Sequence, residues 1–243
     1  MTDLTAQPPV IAQPGFVTDL AIVERIFRDR LTFFAEIREE NDLRGKIRAM
    51  LLSSVIFLAL YGGVMGAAHS IPQVFSSAFK LPALFLITLL ICTPSLYFFN
   101  ILFGSKQSIL QNIALILTAM TTTSILLVSL APVTLFFLTT TADYDFFKLL
   151  NVAIFATAGY MGLVFLRQGF ALSVDADNPD GQRERRALFR AWIGLYAFVG
   201  TQMAFTLSPF MGDPELPFIL FRQTGSNFYA DVINSFFSLL RAF

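Results

Sequence analysis

No aspartate or glutamate occurs between Leu43 and Ala142, and from Ala49 onward the only basic residues in this stretch are Lys80 and Lys106. A soluble domain carries about 25% charged residues, and a stretch so poor in charge could not cover a surface that faces water. In the whole chain 14% of the residues are charged and 55% are hydrophobic. A lipid bilayer is the solvent that suits this composition. The sequence therefore predicts an all-α integral membrane protein.

Five apolar runs each approach the roughly 20 residues that a helix needs to cross the hydrocarbon core. They cover about 49–68, 81–103, 109–131, 146–166 and 187–207, and the third run can be extended to Leu138. The fifth run is the least apolar because it contains Arg190. This residue lies one turn from the end of the run, where a long side chain can reach the headgroups. We therefore predict a transmembrane domain of five helices over 45–207.

The remaining segments are predicted to lie outside the hydrocarbon core. Residues 1–15 contain three prolines and are expected to form a disordered tail. Residues 16–44 have apolar side chains at i+3 and i+4 spacing, which predicts a cytoplasmic amphipathic helix. Residues 208–243 are expected to form an extracytoplasmic tail that contains a short amphipathic helix. Each of the two amphipathic helices could lie on lipid or dock on protein, and the sequence leaves both alternatives open.

The basic residues are divided unevenly between the two sides of this topology. With the N-terminus in the cytoplasm, thirteen Lys and Arg residues lie on the cytoplasmic side, and only Lys80, Lys148, Arg222 and Arg241 lie on the other. An excess of basic residues in cytoplasmic segments is the usual determinant of orientation. We therefore predict a bacterial inner (cytoplasmic) membrane protein with a cytoplasmic N-terminus and an extracytoplasmic C-terminus. Its net charge of zero does not indicate nucleic-acid binding.

Few residues have the chemistry of a catalytic or metal site. His69 is the single histidine and Cys92 is the single cysteine, so neither has a second ligand of its own kind. The segment "DADNPDG" at 175–181 is similar to a calcium loop, but its third aspartate is one position late and the closing glutamate is missing. No aspartate or glutamate lies within the five runs. We predict no enzymatic activity, no cofactor and no metal site.

Two groups of residues are candidates for packing or lipid contact. Gly62 and Gly66 form a Gly-x-x-x-Gly pair, which permits two helices to approach closely, either within this chain or with a partner. A basic group precedes and enters the fifth run, and it comprises Arg183, Arg185, Arg186 and Arg190. These side chains could contact lipid headgroups or could serve only to orient the span.

A third group consists of polar residues within or beside the apolar runs. A polar pathway for a solute would comprise Asn112, Thr121, Thr122, Asn151 and Gln202. Amide and hydroxyl groups in membrane helices more often form hydrogen bonds between helices. Pro94 and Pro132 are expected to kink the second and third spans, which leaves room for a small cavity.

The turn between the second and third runs reads "FFNILFGSKQSILQNIALI" over 98–116. This short glycine-containing turn, with Pro132 further along the third run, resembles the Yip1-type family of small membrane proteins with five spans. The resemblance covers about 45–170. It implies a cytoplasmic N-terminal segment, five helices, and a role in trafficking or as an accessory membrane subunit. It carries no functional residue over to this chain.

The sequence favours a non-catalytic subunit or scaffold of a larger membrane complex. Its expected partners are membrane lipids and other membrane subunits or further copies of itself, and the 28 phenylalanines suit packing against either lipid or protein. One alternative is a small carrier or channel for an uncharged or lipidic solute. Another alternative is a pigment- or lipid-binding subunit of a bioenergetic assembly, for which His69 would be the axial ligand.

Overall fold

The computed structural model describes residues 16–102, 107–141, 143–173, 182–212, 218–221 and 228–242, and these ranges contain helices but no strand. The helices are α1 (Phe16–Arg28), α2 (Arg30–Arg38), α3 (Leu43–Gly66), α4 (Ile71–Leu102), α5 (Ile109–Thr140), α6 (Tyr144–Ser173), α7 (Gln182–Thr206) and α8 (Phe228–Ala242). The predicted tail at 1–15 and the "DADNPDG" segment lie outside the described residues. Four helices, α3 to α6, are long and apolar enough to cross a membrane. The described residues therefore confirm the predicted all-helical fold, and their composition is that of a membrane protein.

The fifth predicted span corresponds to α7, which is not among those four helices because basic residues and Gln202 make it less apolar. It nevertheless packs along α4. The indole Nε1 of Trp192 donates to the Cys92 carbonyl at 3.2 Å and to the Ser95 hydroxyl at 3.1 Å. Closer to the C-terminal end of α7, Gly200 lies beside Thr88. The two helices therefore run antiparallel side by side, and a membrane crossing by α7 stays a prediction.

The centre of the bundle is formed by α3 and α5. Helix α3 packs against α4 and α5, α6 packs against the other side of α5, and α7 packs outside α4. Since consecutive helices run in opposite directions, the connections collect at two ends. The end at which α1 and α2 pack is named the proximal end. The end that holds the turn at 67–70 and the segment 207–212 is named the distal end.

The predicted amphipathic helix at 16–44 is divided into two helices at Asp29, whose φ of −130° and ψ of 50° leave the helical region. Helix α1 packs on α3 and α5, and α2 packs on α5 and α6. The buried side chains include Ile26, Phe34 and Ile37. Gln111 of α5 donates to the last carbonyls of α2, including that of Arg38 at 2.8 Å. The buried face of this segment therefore contacts the protein's own bundle.

Helix α4 begins ten residues before the predicted second run, at Ile71, and continues through Pro82 and Pro94. Its first turns contain Gln73 and Ser77, which are too polar for a hydropathy run but are buried in the structure. These turns bring polar side chains to the distal end, where they meet the segment that follows α7.

Candidate functional site

The glycine pair lies where α3 approaches α4 within this chain. A Cβ atom on Gly62 would overlap the Ser77 carbonyl, and one on Gly66 would overlap the Gln73 carbonyl. By contrast, a Cβ atom on Gly63 would lie 3.7 Å from Val74, which is ordinary van der Waals contact. Of the two alternatives for the pair, the structure shows contact between helices of the same chain.

Three residues of the predicted polar pathway lie on α5 and are completely buried. The Thr121 hydroxyl is 2.9 Å from the Ser54 hydroxyl of α3. The Thr122 hydroxyl donates to the Thr118 carbonyl one turn back, at 2.9 Å. Asn112 Nδ2 donates to the Ser108 carbonyl at 3.0 Å, in the first turn of the helix. These groups are bonded to their own helix or to α3 instead of facing an open path.

A fourth residue of that set, Asn151, belongs to a buried cluster between α3, α5 and α6. The Tyr61 hydroxyl donates to Asn151 Oδ1 at 2.9 Å and lies 3.2 Å from the Thr134 hydroxyl. Asn151 Nδ2 donates to the Phe147 carbonyl at 2.8 Å. Tyr61, Thr134 and Asn151 together are named the central polar cluster. Because hydrogen bonds in an apolar interior hold helices in one register, this cluster ties three helices together.

Gln202 is separated from the other four residues. It lies half-buried on α7, which packs on the outer side of α4, whereas the central polar cluster lies between α3, α5 and α6. The structure therefore does not join all five predicted residues into one line across the bundle.

A second polar cluster, which the sequence did not predict, lies at the distal end. Lys80 is only 4% exposed, and its ammonium donates to the Leu220 carbonyl and lies 3.4 Å from the Pro209 carbonyl. The ring centroid of Phe221 is 4.8 Å from the same nitrogen, within the range of a cation–π contact. The ion pairs among the described residues do not include Lys80.

Two more residues of α4 bind the same segment. Gln73 Nε2 donates to the Pro209 carbonyl at 2.9 Å, and the Ser77 hydroxyl donates to the Phe210 carbonyl. Gln73, Ser77 and Lys80 are spaced i, i+4 and i+7, so they share one face of the helix. They are named the distal clamp, because together they attach the chain after α7 to α4. Gln73 Oε1 is buried without a hydrogen-bond partner.

The signal for the distal clamp was present in the sequence as three polar residues with helical spacing. A hydropathy window hides them because it averages over all faces of a helix. Tyr61 and Thr134 were missed for the same reason, since each is a single hydroxyl within a long apolar run.

His69 lies in the turn between α3 and α4, where its Nδ1 is 2.8 Å from the Ser70 hydroxyl. Gly212 packs against its ring with a φ of 68°, and a Cβ atom at Gly212 would overlap that ring. The described residues contain no group of three His, Cys, Asp or Glu side chains that could hold a metal ion. Cys92 is a buried free cysteine, and its backbone carbonyl accepts the hydrogen bond from Trp192.

The proximal end also holds a charged cluster, in which Lys46 is buried and Arg25 is about half exposed. The Arg25 guanidinium donates to both carboxylate oxygens of Glu36, at 2.7 and 2.8 Å, and Lys46 Nζ lies 3.0 Å from Glu36 Oε2. Lys46 also donates to the Asn41 carbonyl. Burial by itself raises the pKa of the Glu36 carboxyl, but the hydrogen bonds and charges of Lys46 and Arg25 outweigh burial and hold this pKa below its ordinary value. The three residues link α1, α2 and α3.

The basic group of α7 is placed on the first turns of that helix. Arg183, Arg186 and Arg190 are exposed, and Arg190 Nε is 3.4 Å from the Arg186 carbonyl. The side chain of Arg185 lies outside the described residues. Exposed guanidinium groups at the proximal end are compatible with headgroup contact, which stays a prediction.

Comparison of the chain with protein-family models, with curated proteins and with solved structures found no match. The resemblance to Yip1-type proteins therefore stays a prediction.

Proposed function

We propose that this protein is a non-catalytic structural subunit of a larger membrane complex. The proposal rests on one observation, that the interior polar groups form hydrogen bonds within the bundle. Asn151 and Thr121 bond to side chains of α3, and Asn112 and Thr122 bond to their own helix. A carrier would need such groups to face a shared water-filled path, so their burial and bonding favour a closed, structural interior.

In this proposal α3 to α7 cross the membrane, the N-terminus lies in the cytoplasm and the C-terminus lies outside, in a bacterial inner membrane. The uneven distribution of Lys and Arg supports the orientation. The antiparallel packing of α7 along α4 supports the fifth crossing. An accessory role also agrees with what the resemblance to Yip1-type proteins implies.

The surface proposed for a partner is the face of α4 that α7 and the rest of the bundle leave exposed. Its exposed large side chains along the predicted membrane interior and proximal half are Ile87, Leu90, Ile91, Phe98 and Ile101. Without a hydrophobic driving force inside lipid, helices associate through close packing, which a broad apolar face of this kind permits. The partner would be an apolar transmembrane helix of another subunit or of a second copy.

Site-directed photo-crosslinking in the native membrane tests this surface. A photoreactive residue at Leu90 or Phe98 should give a discrete crosslinked protein species. A photoreactive residue at Tyr160 of α6 is the matched control, because it is also exposed but on the other side of the bundle, and it should give lipid adducts only. Lipid adducts at all three positions would contradict the proposed subunit role.

A further inference from the structure

Three buried oxygen atoms at the distal end have no hydrogen-bond partner among the described residues. Gln73 Oε1 and Ser76 Oγ belong to α4, and Ser208 Oγ belongs to the segment that follows α7. Gln73 is only 1% exposed. A buried polar atom without a partner is costly, so native proteins bond nearly all such atoms to the chain or to an ordered water molecule.

The orientation of the Gln73 amide is fixed by its neighbours. Its Nε2 donates to the Pro209 carbonyl at 2.9 Å and to the Ser77 hydroxyl at 3.1 Å. The proton of the Ser77 hydroxyl is already donated to the Phe210 carbonyl. If the amide turned over, Oε1 would face two oxygen atoms that have no proton to give. Gln73 Oε1 therefore points away from both and needs a separate donor.

The three oxygen atoms lie around one contact between α4 and the chain after α7. Gln73 and Lys80 both approach the Pro209 carbonyl, and Ser208 precedes Pro209 in the chain. Ser76 lies between Gln73 and Lys80 on the same side of α4, three residues after the first and four before the second. The three atoms do not bond to one another. A water molecule can join polar atoms that are too far apart for a direct hydrogen bond.

The chemistry of these groups selects a small neutral ligand. Gln73 Oε1 can only accept, so the ligand has to donate, whereas the two serine hydroxyls can donate or accept. The Lys80 ammonium, 3.4 Å from the Pro209 carbonyl, would repel a cation. An anion without a proton could not satisfy Gln73 Oε1. Water meets all of these requirements.

We propose that a water molecule is bound between Gln73, Ser76 and Ser208 as a structural part of the distal clamp. It donates to Gln73 Oε1 and forms hydrogen bonds with the two serine hydroxyls. It thereby joins α4 to the segment after α7, in addition to the direct bonds of the clamp. The site does not depend on the proposed subunit role, because it rests on contacts within one chain.

Water-edited solid-state NMR of the full chain tests the site, with ¹⁵N-glutamine labelling, in vesicles of phosphatidylethanolamine and phosphatidylglycerol. It measures how fast magnetisation passes from water to each side-chain amide. Gln111 is the matched control, because it is likewise the third residue of a long apolar helix and is 8% exposed. Its Oε1 accepts from the Ser108 amide and its Nε2 donates to the Arg38 carbonyl, both at 2.8 Å.

The signal of Gln73 should build up several times faster than that of Gln111, although Gln73 is the less exposed of the two. The variants Gln73→Asn and Gln111→Asn identify the two signals by their loss. Equal or slower build-up at Gln73 would overturn the bound water.

A second pair of variants tests the bridge to the segment after α7. Ser208→Ala should slow the transfer of magnetisation to Gln73, because the water loses one of its partners. Thr206→Val is the control, since the Thr206 hydroxyl donates to the Gln202 carbonyl of its own helix at 2.9 Å, and it should leave the transfer unchanged. Fast transfer that Ser208→Ala does not slow would overturn the bridge. An unchanged Gln111 signal in both variants establishes that the bundle is retained.

Discussion

Two lysines are buried at opposite ends of the bundle, and their charges are stabilised in different ways. Lys46 is 5% exposed and pairs with the Glu36 carboxylate, which Arg25 also binds. Lys80 is 4% exposed and is held by backbone carbonyls and by the ring of Phe221. A buried ammonium without compensation costs several kcal/mol, so both arrangements are required by the burial itself.

The difference follows from which segments each lysine meets. The segment that covers Lys46 is rich in charged residues and can supply a carboxylate. Lys80 meets a described segment whose side chains are apolar, so the peptide carbonyls and an aromatic face supply the partial negative charge. The proximal end should therefore respond to pH, whereas the distal end should respond to the conformation of the chain after α7.

The largest loss of stability is expected where α3 packs closely on α4 and so positions the distal clamp. Because Gly66 packs on the Gln73 carbonyl, Gly66→Ala should push α4 away from α3 and destabilise the protein by about 3 kcal/mol, the upper part of the usual range for overpacking. Gly63→Ala is the matched control, because its Cβ atom has room, and it should be nearly neutral. Thermal unfolding in detergent measures both. Equal melting temperatures of the two variants would mean that α3 and α4 can move apart without loss of stability, which would contradict the prediction.

The next effect tests the proximal end. Glu36→Gln leaves Lys46 buried without a carboxylate and should cost about 2 kcal/mol, less than for a fully buried pair because the Glu36 side chain is 20% exposed. Glu24→Gln is the control, since its ion pair with Arg28 is largely exposed and is worth at most about 0.5 kcal/mol. Hydrogen exchange should accelerate in α1 and α2 of the Glu36 variant only.

The pH dependence of stability tests the contribution of the Glu36 carboxylate at the proximal end. The folded-state pKa of Glu36 is lowered from the ordinary 4.5, so its carboxylate contributes its full stability above about that pH. The contribution is lost as the pH falls through the lowered pKa. The melting temperature of the unmodified chain should therefore exceed that of Glu36→Gln at neutral pH, and the two should converge in acid. A constant difference down to acid pH would exclude ionisation of Glu36 as the cause.

The smallest change in the unfolding free energy is expected for a substitution at the distal end. Replacement of a buried charge by an apolar side chain of similar shape is often nearly neutral, so Lys80→Met should change the unfolding free energy by less than about 1 kcal/mol. The local effect should be larger, because the Leu220 carbonyl loses its donor. Limited proteolysis should therefore cut within 207–221 faster than in the unmodified chain. A large drop in melting temperature with unchanged proteolysis would contradict this prediction. Lys80 would then contribute to the stability of the whole bundle and would not hold the segment after α7.

Several features of the fold follow from local sequence alone. The apolar runs predicted α3, α4, α5 and α6, because a helix inside lipid must be long and apolar whatever packs beside it. The helix bounds were less predictable. Helix α4 starts ten residues before the predicted run, and in these turns Gln73 and Ser77 are buried because Pro209 and Phe210 accept their hydrogen bonds.

The composition and periodicity of the chain by themselves determined a helical fold with four helices long and apolar enough to cross a membrane, because apolarity and helical spacing are properties of neighbouring residues. Only the tertiary structure decided which groups meet. It joined Tyr61 to Asn151, left Gln202 outside their cluster, and gave Lys46 and Lys80 different partners. Such pairings join residues far apart in the chain, and their hydrogen bonds and charges depend on the packing of whole helices.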